Sequence, residues 1–207
     1  MRRVVIVTIV ALVLALPAAA QNLLVNPGLD TADQLDGWIC NEVNGTASWN
    51  AQDRLDSPTS GSMQHDVTSS SSNRAVWCAQ CVAVTAGLDY VASGWFFWPD
   101  DPDVSQDGSA RASVWFYPND DCSGTAEIGP TESVSPTLDT WLPISTDVAT
   151  APAMVQSAIV FFLTWQNVAD QPVRGRFDDL DFRVSSDLVF DDDFETGDTS
   201  RWSTVVP

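Results

Sequence analysis

Short runs of apolar or alternating residues, separated by clusters of Pro, Gly, Ser, Thr, Asn and Asp, follow one another along most of the chain. Helical periodicity is nearly absent after residue 20, and runs of this length with turn signals between them are typical of β-strands. The runs predict strands at 62–67, 75–84, 89–98, 111–117, 141–148, 154–165 and 175–184. The longest loops are expected at 69–73, 99–109 and 118–137. This pattern predicts an all-β fold, a sandwich or a barrel, in a single domain.

Neighbouring side chains on a strand point to opposite faces, so each run divides into two sets. In runs 89–98 and 111–117 one set is apolar or small, and we assign it to the core. The opposite set combines aromatic rings with polar groups and includes Trp95, Phe97, Arg111, Trp115 and Tyr117. The faces of these two strands therefore offer a mixed surface outside the core.

The run 154–165 is more apolar, and here the odd-numbered positions Ile159, Phe161, Leu163 and Trp165 are expected in the core. Gln156 begins the opposite, mixed set. Three other tryptophans are also assigned to the core: Trp38, Trp77 and Trp141.

A mixed face of this kind suits sugar recognition, because flat rings stack on the C–H faces of a pyranose while planar polar groups bond its hydroxyls. We predict that Trp95, Phe97, Trp115 and Tyr117 stack on a polysaccharide or oligosaccharide and that Arg111 and Gln156 hydrogen-bond to it. The alternative is that the rings lie under a loop or under the C-terminal tail and have a structural role.

The N-terminus has the features of a secretory signal peptide over residues 1–20: two arginines, a short apolar run and a Pro-Ala-Ala-Ala exit. The predicted folded domain covers residues 21–184, and residues 185–207 form an acidic tail. A secreted or cell-surface protein, with no membrane insertion after cleavage, is expected.

The four cysteines favour two structural disulfides, because an exported chain folds under oxidising conditions. Cys78 and Cys81 stand an odd number of positions apart on a predicted strand and so face opposite sides. Of the three connectivities we favour Cys81–Cys122 together with Cys40–Cys78. A redox pair or a zinc site is the alternative, although the spacing matches no zinc ribbon.

Charge excludes several classes of function. The formal net charge is −19, with 28 acids against nine arginines and no lysine. Such a surface repels phosphate backbones and anionic lipids, which excludes nucleic-acid binding and a polybasic membrane contact. The absence of lysine excludes Schiff-base chemistry and a P-loop.

Four segments, in order, resemble carbohydrate-binding modules of the family four, nine and twenty-two group. They are Asn22-Leu-Leu-Val-Asn-Pro-Gly-Leu-Asp30 with Gly37-Trp38, Cys81-Val-Ala-Val-Thr-Ala-Gly-Leu-Asp-Tyr90, Thr140-Trp141 with Ile144-Ser145 and Ala151-Pro152, and Phe177-Asp-Asp-Leu-Asp-Phe182. The resemblance implies an antiparallel β-sandwich of the jelly-roll type. It also implies a structural calcium ion held by Asp30 and Asp178, where the N-terminal segment meets the last strand. The tail at 193–203 resembles a short segment that ends many unrelated exported bacterial proteins.

Catalysis is not expected, because no acid pair stands out and the nucleophile-elbow motif is absent from the sequence. His65 is expected at the surface or on an edge strand rather than in a catalytic triad. We therefore predict a monomeric, non-catalytic carbohydrate-binding module. A cell-surface structural or adhesion domain that binds no sugar is the alternative.

Overall fold

The computed structural model describes residues 21–30 and 34–185. These residues form eleven β-strands and no α-helix. The strands are β1 (Ile39–Asn41), β2 (Gly45–Asn50), β3 (Ser62–Val67), β4 (Arg74–Ala83), β5 (Asp89–Phe97), β6 (Gly108–Tyr117), β7 (Glu127–Val134), β8 (Trp141–Ser145), β9 (Ala149–Thr150), β10 (Ser157–Gln166) and β11 (Val173–Val184). The predicted signal peptide, and all but the first residue of the predicted tail, lie outside the described residues.

The strands form two antiparallel sheets. One has five strands in the order β1-β4-β10-β6-β7, and the other has six, in the order β2-β3-β11-β5-β8, with β9 paired to β5. Rings from the two sheets meet in the core: Phe162 of β10 packs against Phe177 of β11, with 5.9 Å between the ring centroids. The predicted all-β antiparallel sandwich is confirmed. Within the part of the chain that the structure describes, no helix is long and apolar enough to cross a membrane.

Most predicted strands are present with shifts of a few residues at their ends, but β1, β2, β7 and β9 were not predicted. The strand β7 lies inside the predicted loop 118–137. Its sequence contains Gly129 and Pro130 and alternates only weakly. Proline is tolerated on an edge strand, where one side of the backbone needs no partner, and β7 is at the edge of its sheet.

Strand β10 faces the opposite way from the sequence prediction. Ala158, Val160 and Phe162 are fully buried between the sheets, while the odd-numbered set from Ile159 to Trp165 points outward. β10 is the central strand of its sheet, and its outward-pointing set is as apolar as its inward-pointing set. A strand apolar on both faces carries no alternation from which its inner side can be read.

His65 is also misassigned by the sequence. It is fully buried on β3, between Met63 and Val67, which are likewise buried and on the same face. Its ring packs against Phe177, with 5.2 Å between centroids, and its Nε2 lies 3.3 Å from Cys78 Sγ. The histidine belongs to the core, not to the surface.

Both favoured disulfides are present, Cys40–Cys78 and Cys81–Cys122. Cys78 is buried between the sheets, whereas Cys81 is on the outer face of β4, as the odd spacing indicated. The first bond joins β1 to β4, and the second ties the β6–β7 loop to β4.

The N-terminal segment fills a gap beside β11. Strand β3 pairs with β11 only as far as Phe177, and a bulge follows between Asp178 and Asp181. Beyond it, Asn22 donates its side-chain amide to the Leu180 carbonyl (2.8 Å), and the Leu23 amide donates to the Phe182 carbonyl (2.8 Å). Residues 22–27 thus take the place next to β11 that β3 leaves open.

Candidate functional site

A cleft of about 530 Å³ opens on the outer face of the five-stranded sheet. All five strands contribute side chains to it, and most of these are apolar. The lining consists of Ile39, Trp77, Ala79, Gln80, Cys81, Arg111, Ser113, Trp115, Tyr117, Ile128, Thr131, Ile159, Phe161, Leu163 and Trp165.

Three rings form a row across the floor of the cleft, and we call Trp77, Phe161 and Trp115 the three-ring row. They come from β4, β10 and β6, which are neighbours in the sheet. The centroids of Trp77 and Phe161 are 5.3 Å apart, and those of Phe161 and Trp115 are 5.0 Å apart. These distances are typical of favourable aromatic contacts, so the rings hold one another in place. All three are only partly buried.

Polar groups in the cleft fix the orientation of the rings. Trp115 donates its indole N–H to Ser113 Oγ (3.1 Å), and Ser113 Oγ is 2.7 Å from Thr131 Oγ1. Gln80 uses its whole amide on the main chain of Val25: its oxygen accepts from the Val25 amide (2.9 Å) and its nitrogen donates to the carbonyl (2.6 Å). These contacts hold the side chains of Trp115, Ser113 and Gln80 in place.

Among the described residues that line the cleft, Arg111 is the one that carries a charge. Its guanidinium lies over the Trp165 ring, 4.1 Å from the centroid, and its Nε donates to Ser109 Oγ at 3.3 Å. Burial lowers the pKa of this arginine from its usual value. Among the described residues no carboxylate forms an ion pair with it.

The two edge strands of the sheet, β1 and β7, form the rims of the cleft. Ile39 on β1 is 71 % exposed and Ile128 on β7 is 68 % exposed, and both edge strands belong to the five-stranded sheet. The Cys81–Cys122 bond places the β6–β7 loop beside the same surface, because Cys81 lines the cleft. Exposed apolar side chains at both rims extend the contact surface beyond the rings.

Three of the predicted ligand-binding residues, Arg111, Trp115 and Tyr117, lie together in this cleft. Trp95 and Phe97 do not join them, because β5 belongs to the six-stranded sheet and their side chains point to its outer face. Alternation along a strand gives the face of a residue but not the sheet to which its strand belongs. Three of the six predicted ligand-binding residues therefore lie in the cleft, and two lie on the opposite side of the sandwich.

On the other side, arginines of the same chain cover the rings. The Arg54 guanidinium lies 4.6 Å from the Trp95 ring centroid, and that of Arg176 lies 5.6 Å from the Phe97 ring centroid. Phe97 also packs against Trp141 at 5.3 Å and is only 6 % exposed. Intramolecular partners already occupy this aromatic surface.

Gln156 lies outside the cleft lining. It precedes β10, is exposed, and donates its side-chain amide to the Pro118 carbonyl at 2.7 Å.

Among the tryptophans assigned to the core, Trp38 is buried at 8 % exposure, whereas Trp77 and Trp141 are only partly buried. Trp77, Phe161 and Trp165 are the aromatic residues of the cleft lining that the sequence prediction missed. The alternation of Val76, Cys78 and Val82 on β4 indicates that Trp77 points outward.

Asp178 is the second unusual polar position. It is fully buried, and its two carboxylate oxygens accept from the amides of Arg54 (2.8 Å) and Asp179 (2.7 Å). Burial raises the pKa of the Asp178 carboxyl to about 7, and the negative charges of Asp179 and Asp53 act in the same direction. A cation beside this carboxylate would offset the free-energy cost of keeping it charged in a buried position.

Asp30, the other predicted calcium ligand, is exposed at the end of the N-terminal segment. Within residues 21–30 and 34–185, no three side chains of His, Cys, Asp or Glu are grouped as a metal site. A cation held by two carboxylates would need main-chain oxygens to complete its shell. The calcium site stays a prediction.

No protein-family model and no curated protein matches the sequence. Solved structures do match. The module TmCBM61, determined in complex with β-1,4-galactotriose, superposes with a TM-score of 0.53 and 13 % identity over 79 % of this chain and 99 % of its own. This chain therefore shares the antiparallel β-sandwich fold of that module.

Two larger proteins contain a similar domain. The CBM22-1–GH10 modules of Clostridium thermocellum xylanase 10B, complexed with xylohexaose, match with a TM-score of 0.54 and 16 % identity over 80 % of this chain and 29 % of that chain. The enzymatically active domain of bacteriophage CBA120 tailspike protein 4 matches with a TM-score of 0.57 and 14 % identity over 79 % of this chain. This chain spans only 21 % of the tailspike chain, and identities this low concern the fold alone.

Proposed function

We propose that this protein is an exported, non-catalytic carbohydrate-binding module whose ligand lies in the cleft of the five-stranded sheet. The observation that carries the proposal is the three-ring row, Trp77, Phe161 and Trp115, on the floor of an open cleft. Partly exposed rings held in fixed positions offer flat apolar surfaces to the C–H faces of successive sugars, at little cost in side-chain entropy.

The fold supports the proposal. TmCBM61 was solved with a galactotriose and the Clostridium xylanase modules with a xylohexaose, and both share the sandwich architecture of this chain. The loop between β5 and β6 does not cover the rings of the cleft, because none of its residues is in the cleft lining. It is held elsewhere: the Ser105 carbonyl accepts from the Trp98 indole N–H (3.3 Å), and the Ser105 hydroxyl donates to the Gln171 side chain (2.9 Å).

Binding without cleavage fits the composition of the lining. Glycoside hydrolysis generally uses a pair of carboxyl groups on either side of the scissile bond. The described lining of the cleft includes no aspartate or glutamate. The described lining is therefore suited to holding a saccharide, and none of its residues is a carboxylic acid that could protonate a glycosidic oxygen.

The decisive experiment is affinity electrophoresis of the full chain on a panel of soluble polysaccharides that includes a β-1,4-galactan and a xylan, with pull-down on insoluble polymers. Retention by at least one polymer is expected. Trp115→Ala should weaken that retention about tenfold or more, as for an aromatic anchor at the centre of a contact surface. It should lower the melting temperature only slightly, because the ring is partly exposed.

Trp141→Ala is the matched control, since Trp141 is also a partly buried tryptophan on an outer face, but of the other sheet. It should leave retention unchanged. Loss of retention in Trp141→Ala but not in Trp115→Ala would place the ligand on the six-stranded sheet and contradict the proposed site. No retention by any polymer, with the protein folded, would favour a structural or adhesion role instead.

The proposed location is the cell exterior or cell surface. Two disulfides support it, because such bonds persist in oxidising compartments. Expression with residues 1–20 intact, followed by mass spectrometry of the secreted protein, tests the location. Cleavage after Ala20 is expected, and retention of the uncleaved chain in the cytoplasm would contradict it.

A structural calcium ion is the remaining part of the proposal. Asp178 and Asp30 would hold it together with main-chain oxygens, and bound calcium would fix the N-terminal segment against β11. The Asp178 carboxylate supports this role, because it is buried and lies near the negative charges of Asp179 and Asp53. Thermal unfolding should occur at a higher temperature in calcium than in EDTA, because a ligand of the native state stabilises it. In Asp178→Asn that difference should disappear, and an equal response of both proteins would argue against the site.

A further inference from the structure

The charge distribution around the cleft differs from that of the rest of the chain. The sequence contains 28 acidic residues and has a formal net charge of −19. None of those acids is among the described residues that line the cleft, and Arg111 is. The protein is strongly acidic, yet the described lining of this apolar cleft has a basic residue and no acidic one. This arrangement points to a ligand that carries a negative charge.

Three of the other five arginines of the described domain have carboxylate partners, while Arg176 donates to Gln64 and Gln52 and Arg74 is exposed. Arg54 pairs with Asp179, Arg174 with Asp66 and Asp101, and Arg183 with Asp181. These pairs are on β11 or next to it, on the six-stranded sheet. Arg111 has no such partner among the described residues, although it is partly withdrawn from water. Its charge is left for a group that the described protein does not supply.

The geometry of Arg111 fixes how it can bind. The guanidinium rests on the Trp165 ring at 4.1 Å, and Nε is engaged by Ser109 Oγ at 3.3 Å. Stacking and this hydrogen bond hold the plane of the group and leave its terminal N–H groups without a partner among the described residues. A held guanidinium matches the two oxygens of a carboxylate better than it matches single hydroxyls.

Arg111 is also adjacent to the rings that we propose to bind sugar. Leu163 is its cross-strand partner on β10, and Trp77 is the partner of Leu163 on β4. Phe161 is two residues from Leu163 along β10, and Trp115 is four residues from Arg111 along β6. A saccharide stacked on the three-ring row would bring a neighbouring substituent over Arg111.

We propose that Arg111 receives the carboxylate of a uronic acid, so that the cleft binds a saccharide that carries isolated carboxylates on an otherwise neutral chain. This inference rests on the proposed carbohydrate-binding function and specifies its ligand class. A polymer with a carboxylate on every sugar fits less well, because the net charge of the protein repels a dense polyanion while one arginine neutralises one group.

The test is isothermal titration calorimetry of the full chain with one oligosaccharide in two forms. The first is a xylo-oligosaccharide that carries a single glucuronic acid, and the second is its methyl ester, which has one additional methyl group and no charge. We expect about tenfold tighter binding of the acid, which corresponds to one charge-assisted hydrogen-bonded pair. Arg111→Gln should abolish the preference for the acid over the ester.

Arg111→Lys should keep only part of the preference, because an ammonium is a point charge without the planar fork. Arg74→Gln is the matched control, since Arg74 is exposed at the start of β4 and outside the cleft lining. It should bind both forms like the wild type. Melting temperatures of all three variants establish that they are folded.

Equal affinity for acid and ester would overturn the inference while the proposed function stands, provided that a neutral polymer is retained on the panel. An equal loss of affinity for both forms in Arg111→Gln would also overturn it, since Arg111 would then bind hydroxyls. Absence of binding to every polymer and to both oligosaccharides would overturn the proposed function and this inference together.

Discussion

Replacement of His65 by leucine tests how the core responds to acid. The imidazole is fully buried between the sheets, and its Nδ1 has no hydrogen-bond partner in the described structure. Burial lowers the pKa of His65 from 6.5 to about 3. Below pH 6.5 the unfolded chain therefore binds a proton that the folded protein refuses. Stability is present above pH 6.5 and is lost as the pH falls towards 3.

The magnitude follows from one proton. A group that is protonated only in the unfolded state changes the free energy of unfolding by about 1.4 kcal/mol per pH unit. For a domain of this size that corresponds to roughly 3–5 °C in melting temperature per pH unit. His65→Leu removes the titration and replaces a buried polar ring by an apolar side chain of similar size. At pH 7.5 the variant should be within about 1 kcal/mol of the wild type.

The assay is urea unfolding of both proteins at pH 7.5, 6.5, 5.5 and 4.5. Subtraction of the two unfolding free energies removes the titration of the many shared carboxylates. The difference should move in favour of His65→Leu by about 2–3 kcal/mol between pH 6.5 and 4.5. Phe177→Leu, which alters the packing next to His65 without removing a titratable group, should show a difference that is constant with pH. A constant difference for His65→Leu as well would refute the reasoning.

Two further predictions concern backbone contact and the buried carboxyl. In Gly108→Ala the new Cβ would lie 2.5 Å from Cη2 of Trp98 and 2.6 Å from the Trp165 carbonyl oxygen, so thermal unfolding should show a loss of about 1–3 kcal/mol. Gly28→Ala, which has no atom within 4 Å of its Cβ, should be nearly neutral by the same measurement. The raised pKa of Asp178 means that the folded protein binds a proton between about pH 7 and 4 that the unfolded chain does not bind. In EDTA, the free energy of unfolding of the wild type should therefore rise relative to that of Asp178→Asn as the pH falls over this range. A relative decrease, measured by urea unfolding, would contradict this.

Alternation along single strands predicted the inner and outer faces of β5 and β6 and the opposite orientation of Cys78 and Cys81. His65 carried the same signal, since Met63 and Val67 flank it at a spacing of two. Its polarity led to the surface assignment, yet a neutral imidazole can be buried when its pKa is depressed. The error came from the weight given to residue type over position.

The candidate site could be predicted only in part, because it is a property of the strand order. Trp115 and Phe161 are distant in sequence and meet because β6 and β10 are neighbours in one sheet. Trp95 carries the same local pattern as Trp115, but its strand belongs to the other sheet. Pairing between strands far apart in the chain depends on long-range packing, which no local window of sequence contains.

The contact between residues 22–27 and β11 has a geometric consequence for attachment. Leu23 donates its amide to the Phe182 carbonyl at 2.8 Å, so the two ends of the folded domain lie side by side. A domain with adjacent ends can be inserted into a surface loop of another protein, or circularly permuted through a short linker, with little distortion of either partner. Both ends meet on the six-stranded sheet, while the cleft opens on the other sheet. A carrier joined at either end of the described domain would therefore be attached beside β11, on the sheet that does not carry the cleft.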